Sequence, residues 1–454
     1  MRSMVEGQPQ PRAKAPAPTL LMRASNDSSG RRGGAPSTAF GAPPRPALRG
    51  RIRSCSRRPM APDRSGRRMI LILAVSGFAS TSAGRSVEPL VGVMARDLHS
   101  DPATVALLSA AFALPYAFIQ PILGPVGDAF GKERMMPLCL GVLALAMLAG
   151  ALTPNLPILF GLRILAGMAA GGVIPMGMAM IGDRVGMETR QIAISRFLAA
   201  VILGQLAGSS VAGLLAEVVG WRGVFGVAFV MTGAAAVGAV VAFGRPPPPE
   251  AGFDLGVALA RYRKVFAIPR ARALYAFVFV DGLAFFGLFP YVAPTLEARG
   301  EGGPFEAGLV LAGFAVGGLI YASLVGWMLR VLGVGRMLAI GGFLSAGAFV
   351  ALGVGHGWQV DAAVLAVLGI GFYMLHNSYQ TQITEVLPEA RASAIAFHAF
   401  SFFIGQALGV VLVGASLAGF GWTGTAFLCA VAAAALGLAS AWYLVWKPGP
   451  GASR

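Results

Sequence analysis

Charge is what this 454-residue chain has least of. Asp, Glu, Lys and Arg make up 12% of it against 56% hydrophobic residues, and mean hydropathy is +0.69. A soluble domain carries about 25% charged residues. So few charges cannot cover a water-facing surface, which excludes an ordinary soluble globule and leaves most of the surface facing lipid. Cysteine is also scarce. Cys55, Cys139 and Cys429 are too few and too scattered for a disulfide framework or a thiolate zinc site. Cys139 and Cys429 fall in apolar runs and read as small buried hydrophobes. Nothing matches Gly-x-x-x-x-Gly-Lys-(Ser/Thr), so an ion gradient rather than ATP is the expected energy source. No Ser/His/Asp set, metal cluster or cofactor motif stands out. This disfavours an integral-membrane enzyme, and neither a cofactor nor a metal is expected.

The charge that is present is uneven. Net charge is +16, yet residues 1–68 hold 15 basic and 3 acidic residues, a net of +12. This stretch is rich in Pro, Gly, Ser and Arg and has no apolar period, which predicts a disordered, dispensable basic tail. It lacks the apolar core of a secretory signal. An over-long start, with Met60 or Met69 as the first residue, fits it better than an organellar transit peptide. No aromatics alternate with its bases, so no nucleic-acid partner is expected.

Beyond the tail, twelve runs are long and apolar enough to cross a bilayer, which takes about 20 residues. They lie near 70–94, 104–124, 135–152, 157–181, 193–215, 223–243, 272–296, 306–328, 337–355, 361–384, 393–416 and 422–446. The loops on the tail's side are basic: Lys132 and Arg134, Arg184 and Arg190, the cluster from Arg261 to Arg272, Arg330 and Arg336, and Lys447. Those on the other side are short and poor in bases. Positive charge stays inside, so both termini are expected in the cytoplasm. The division follows: a tail over 1–68, a six-helix bundle over 69–243, a cytoplasmic linker over 244–271, a second bundle over 272–446 and a short tail over 447–454.

The two halves echo each other. Gly124-Pro-Val-Gly-Asp128-Ala-Phe-Gly131-Lys-Glu-Arg134 and Gly326-Trp-Met-Leu-Arg330-Val-Leu-Gly333-Val-Gly-Arg336 share their first glycine, the glycine seven residues on and the final arginine, 202 residues apart, with Asp128 answered by the base Arg330. Gly204-Gln-Leu-Ala-Gly208 returns as Gly405-Gln-Ala-Leu-Gly409. Duplicated halves are a common build for secondary transporters.

These features resemble the major facilitator superfamily over residues 69–446. Its loop pattern between spans two and three, Gly-x-x-x-Asp-(Arg/Lys)-x-Gly-(Arg/Lys)-x-(Arg/Lys), is met by Gly124, Asp128, Gly131, Lys132 and Arg134, with Ala129 where a base is usual. Span four reads Arg163-Ile-Leu-Ala-Gly167, similar to the superfamily's Arg-x-x-x-Gly. Span five reads Gly208-Ser-Ser-Val-Ala-Gly213, without the proline of the drug/proton antiporters. The Gly220-Trp221-Arg222 that opens span six and the polar span ten are also familiar, the latter from arabinose-efflux-permease-like members. The resemblance implies an all-α membrane fold of twelve transmembrane helices in two pseudo-symmetric six-helix bundles. It also implies a gating role for the loop and Arg163. The alternatives are that Lys132 and Arg134 only set topology, and that Arg163 snorkels to an interface.

Polar groups inside spans are functional candidates, because a mid-bilayer charge costs about 2.5–3.5 kcal/mol on insertion scales. Arg85 and Glu88, three apart in span one, form either a self-paired ion or a substrate or proton site. Asp281 in span seven has no base within a turn of its own helix. Either Gly282 lets local backbone solvate it, or it is the proton carrier, since burial disfavours a carboxylate's charged form. Tyr373, His376, Asn377, Gln380 and Thr384 make one helical stripe in span ten, which should line an aqueous cavity and contact substrate. His398 in span eleven is a weaker candidate. Phe285, Phe286 and Tyr291 either meet an apolar substrate or pack.

The expected protein is a monomeric carrier in the bacterial cytoplasmic (inner) membrane. Its expected partners are a small-molecule substrate, protons and the lipid bilayer, with proton-coupled efflux as the activity. Proton-coupled uptake is the alternative, and a transport-inactive receptor or assembly factor on the same fold is another.

Overall fold

The computed structural model describes residues 64–244, 255–387 and 391–446, and their regular structure is helical throughout. Residues 1–63, the linker prolines at 246–249 and the C-terminal tail lie outside the described residues, and so do the expectations placed on them. The same holds for the side chains of residues 123–129, Asp128 among them.

Nine helical stretches among the described residues are long and apolar enough to cross a membrane. Three of them, Ile192–Phe243, Pro304–Val354 and Ser393–Trp446, run to 52, 51 and 54 residues, more than twice what a bilayer takes. Each contains one residue with non-helical backbone: Gly220 (φ 68°), Gly333 (φ 67°) and Gly421 (φ 66°). A side chain is strained at such positive φ, so glycine lets the helix fold back without a loop. Each stretch is therefore two spans, and the spans number twelve. The exposed flanks carry Leu145, Val218, Phe343 and Phe420, as a lipid-facing surface requires. The protein is an integral membrane protein of two pseudo-symmetric six-helix bundles.

The symmetry reaches individual contacts. A Cβ on Gly204 would overlap the carbonyl oxygen of Phe78, and one on Gly208 that of Ser82, both in span one. Gly405 and Gly409 stand in the same way against Phe279 and Leu283 in span seven, 201 residues on. Gly167 against Phe112 repeats as Gly369 against Phe314. Bare backbone at these points lets the helices approach closely, which is how packing holds helices together where lipid supplies no hydrophobic drive.

Spans one, four and seven are interrupted. Span one is α1 (Arg64–Arg85), a 3₁₀ turn at Glu88–Leu90 and α2 (Val91–Asp97). Span two is α3 (Pro102–Phe130) and span three is α4 (Lys132–Leu152). Span four breaks at Gly171–Gly172 into α5 (Leu156–Ala170) and α6 (Val173–Arg184). Spans five and six are the two parts of α7 (Met187–Phe243). Span seven leaves α-geometry at a π-helical turn, Gly282–Phe286, just after Asp281.

The linker holds an element the sequence reading leaves out, α8 (Leu255–Phe266). The Tyr262 hydroxyl donates to Pro121 O at 2.6 Å at the end of span two, and its ring packs edge-on to Phe397 of span eleven, 4.9 Å between centroids. The helix thus touches both halves on the face where span one begins, called the near face below.

On the opposite, far face the halves are joined directly. Arg96 forms an ion pair with Glu297, its counterpart 201 residues on. Gly213 abuts the Pro304 carbonyl, and Gly308 that of Ser210. The largest hydrophobic cluster includes Val87 and Leu90 from one half and Leu296 and Phe314 from the other. Toward the near face the first half keeps a separate cluster around Leu73, Met136 and Phe197.

Candidate functional site

Span one brings its charges together through its break. α1 ends at Arg85 and Glu88 opens the 3₁₀ turn, so the pair straddles the break rather than sharing a helical face. Arg85 Nη1 donates to Glu88 Oε1 at 2.7 Å, and both residues are buried. The Arg85 guanidinium also lies 4.3 Å from the ring centroid of Phe286, its counterpart in span seven. Of the two readings of this pair, the self-paired ion is the arrangement present, and through Phe286 it also bridges the halves.

A helix that stops inside a membrane leaves carbonyls without intrahelical partners. Arg163 meets this need. Its Nη2 donates to Gly84 O at 3.0 Å, while Nη1 and Nε reach Ala83 O and Leu108 O at 3.4 Å. Its guanidinium also lies over Phe112, 4.5 Å from the centroid. Arg163 is 1% exposed, so it does not snorkel. It clamps the broken end of α1 to span two.

Asp281 is fully buried, and its sequence neighbourhood misleads about its partner. His376, 95 residues away in span ten, places Nδ1 2.8 Å from Asp281 Oδ2. Asp281 is thus not a carboxylate without a base, and His376 faces it as well as any substrate. Asp281 Oδ1 has no partner among the described residues. His376 is stacked on Phe372 at 4.9 Å and packs against Phe402 and, at 5.4 Å, against the buried ring of His398. His398 Nε2 also lacks a partner.

Between the halves lies a cavity of about 400 Å³. Arg85, Glu88, Tyr373, His376, Asn377 and Gln380 all line it, while Asp281 sits behind His376. Thr384, the last member of the polar stripe, is not on the wall and bonds back to Thr381 O. Phe286 lines the cavity, whereas Phe285 is in the core and the Tyr291 hydroxyl donates to Val410 O. Of the described lining residues, Leu198 and Gln380 are exposed, and both lie toward the near face. The cavity therefore reaches the surface on that side, whereas toward the far face the halves meet through the Arg96–Glu297 pair and the close approaches of Gly213 and Gly308.

The loop between spans two and three turns at Gly131 (φ 86°), whereas Gly124 and Asp128 are helical in backbone. Lys132 Nζ lies 2.9 Å from Asp183 Oδ2, and Glu133 pairs with Arg184. Both contacts tie this loop to the end of span four. Arg134 lies in the first turn of α4, its amide donating to Gly131 O at 3.0 Å. Exposed pairs of this kind are worth about 0.2–1 kcal/mol each, weak enough to break and re-form.

Several lining residues escape the sequence reading. Ser109, Gln205 and Gln406 are polar and face the cavity, and Tyr116, Phe402 and Phe403 supply much of its apolar wall. Gln205 and Gln406 sit inside the repeated Gly-Gln motif, a signal that could have been read. The aromatics look like any other in an apolar run.

A family model for the Major Facilitator Superfamily matches residues 69–391 and 274–454. Among curated proteins, the MFS-type transporter YybF of Bacillus subtilis is 22% identical over 367 residues, covering 79% of this chain and 89% of that protein. The MFS-type transporter YwfA of the same organism is 24% identical over 255 residues, covering 55% of this chain and 61% of its own length. A multi-drug resistance efflux pump PmrA homolog of Lactococcus lactis is 32% identical over 163 residues, covering 35% of this chain and 40% of that pump. The match thus spans less than two thirds of the last two relatives. Among solved structures, the nucleoside transporter NupG has a TM-score of 0.68 at 15% identity, covering 84% of this chain and all of that one. A bacterial homolog of the human lysosomal transporter Spinster, solved in an inward-facing and unoccupied conformation, has a TM-score of 0.66 at 17% identity, covering 86% of this chain and all of that one. At such identities the structures speak for the fold. With the family model matching most of its length, the chain belongs to the Major Facilitator Superfamily and is a membrane transporter.

Proposed function

We propose that this transporter exports a small organic molecule in exchange for protons. It acts as a monomer in the bacterial cytoplasmic membrane with both termini in the cytoplasm. The observation that carries the reading is the Asp281–His376 pair, buried in the wall of the cavity between the halves. A proton added to Asp281 removes the charge that holds His376 in place and leaves the imidazole free to turn toward the cavity. Turned into the cavity, the imidazole takes up room that substrate needs, so bound proton and bound substrate exclude one another, which is the requirement for exchange.

With the near face in the cytoplasm, the structure is open inward. Outward opening separates the far-face contacts, Arg96 from Glu297 and Gly213 from Pro304, and closes the near face. The loop of Gly124, Asp128, Gly131, Lys132 and Arg134 acts there as the gate, anchored to its own half through the Lys132–Asp183 and Glu133–Arg184 pairs. Arg163 keeps the broken end of α1 fixed during that motion. Relatives named as a multi-drug resistance efflux pump homolog and a multidrug resistance protein support efflux as the direction.

The test is a substrate panel in inverted membrane vesicles with and without a proton uncoupler. Export predicts accumulation in the vesicle lumen that the uncoupler abolishes. Loss of preloaded substrate driven by the same gradient indicates uptake by symport instead. No gradient-dependent movement of any compound points to a transport-inactive receptor or assembly factor.

A further inference from the structure

We propose that the cavity takes an uncharged planar aromatic or heteroaromatic molecule bearing N–H donors along one edge. This rests on the cavity being the substrate site and adds its chemistry. Three observations carry it.

The first is charge. Among the described residues lining the cavity, Arg85 and Glu88 form the one Arg–carboxylate pair, and they are bonded to each other. Asp281, behind the wall, is matched by His376. An anion would meet Glu88 while the Arg85 charge is already engaged. A permanent cation would lie beside Arg85 and lose its water to a carboxylate that already has a partner. Neither exchange is favourable in a low-dielectric site.

The second is unmet hydrogen bonding. Glu88 Oε2, Gln406 Oε1 and Ser109 Oγ belong to lining residues, are buried and have no partner among the described residues. Two of the three can only accept. A buried polar atom left alone costs about 1–3 kcal/mol, so the site is short of donors. A ligand N–H edge supplies what is missing, whereas a carbonyl or sulfonyl edge does not.

The third is shape. The rings of Tyr116, Phe403, Phe402 and Phe286 line the cavity as an unbroken series, with successive centroids 4.2, 5.2 and 5.3 Å apart and Phe286 lying under the Arg85 guanidinium. Such a surface favours a flat π-face over a saturated ring by about 0.5–1.5 kcal/mol per aromatic contact. The cavity's volume of about 400 Å³ suits one small ligand.

The test uses the purified full chain in detergent, where no gradient exists, and follows thermal stabilisation as ligand concentration rises. Four probes vary charge and ring saturation, and the Gln406→Leu variant tests the N–H edge: 4-aminobenzamide (neutral, aromatic, N–H donors), 4-aminobenzoate (anion), benzamidine (cation) and cyclohexanecarboxamide (saturated). The expected result is that 4-aminobenzamide stabilises the protein and that each of the others needs about tenfold more for the same shift, equivalent to 1.4 kcal/mol. Gln406→Leu, with its fold checked by helical content and elution volume, should shrink the gap between 4-aminobenzamide and 4-aminobenzoate to less than about threefold, because an acceptor is gone. Phe402→Ala should shrink the gap to cyclohexanecarboxamide in the same way. Equal or tighter binding of the anion, the cation or the saturated amide overturns the inference, as does binding of none of the four. Since binding is read without a gradient, that failure is distinct from a failure of gradient-driven transport in the vesicle assay.

Discussion

Arg163 is one side chain with three carbonyl partners, two of them at the end of a helix that stops inside the membrane. Without it Ala83 O keeps the Ser86 hydroxyl at 3.0 Å, while Gly84 O, beside the cavity, loses the Arg163 donor, at about 1–3 kcal/mol for an unsatisfied group. Arg163→Leu should therefore lower stability by at least about that amount for its best-bonded partner, Gly84 O, seen as a lower melting temperature in detergent. An unchanged melting temperature would show that water satisfies the carbonyls instead. The sequence identified Arg163, Arg85, Glu88 and Asp281 as residues needing an explanation, because charges in apolar runs are conspicuous. It could not supply the partners. Asp281 meets His376 across 95 residues, and Arg163 meets Ala83 across 80. Such contacts depend on how helices pack, and no local periodicity encodes them.

At the scale of elements, single residues decide where helices turn. Gly333 has φ 67° and nothing within 4 Å of a Cβ built on it, so a side chain there meets strain but no clash. Gly333→Ala should lower stability by about 1–3 kcal/mol. Gly347→Ala, in the same long helix with open space and helical backbone, should be neutral or slightly stabilising because alanine is the better helix former. Equal melting temperatures for the two variants would contradict the hinge. The span boundaries were legible because length and hydrophobicity fix them: the expected 135–152 and 361–384 are found as Lys132–Leu152 and Trp358–Val386. Helix α8 was not, although Leu255, Leu259, Tyr262 and Phe266 follow a helical spacing. A linker that opens with four prolines hides a short amphipathic helix behind its first residues.

For the molecule as a whole, the account requires the far face to open and close. Arg96 and Glu297 occupy equivalent positions and meet across the interface, so they must part when the cavity turns outward. Arg96→Cys with Glu297→Cys, oxidised to a cross-link, should trap the inward-open form and abolish transport until a reductant is added. Transport that survives the cross-link would place the moving parts elsewhere. The internal repeat was readable because Gly204, Gly208, Gly405 and Gly409 recur at constant spacing, and the structure gives each pair the same backbone neighbour. The substrate was not readable, because the aromatic and amide wall of the cavity is drawn from spans that lie far apart in the chain.

The central claim is that Asp281 and His376 couple protons to substrate. It is tested most directly by Asp281→Asn in proteoliposomes, scored for both uphill accumulation and substrate exchange at equal concentrations. The account predicts that gradient-driven accumulation falls to the level of empty liposomes while exchange continues, because the cavity and its gates stay intact. Uphill transport that persists with an unchanged pH profile would contradict it and move the proton site to Glu88 or His376.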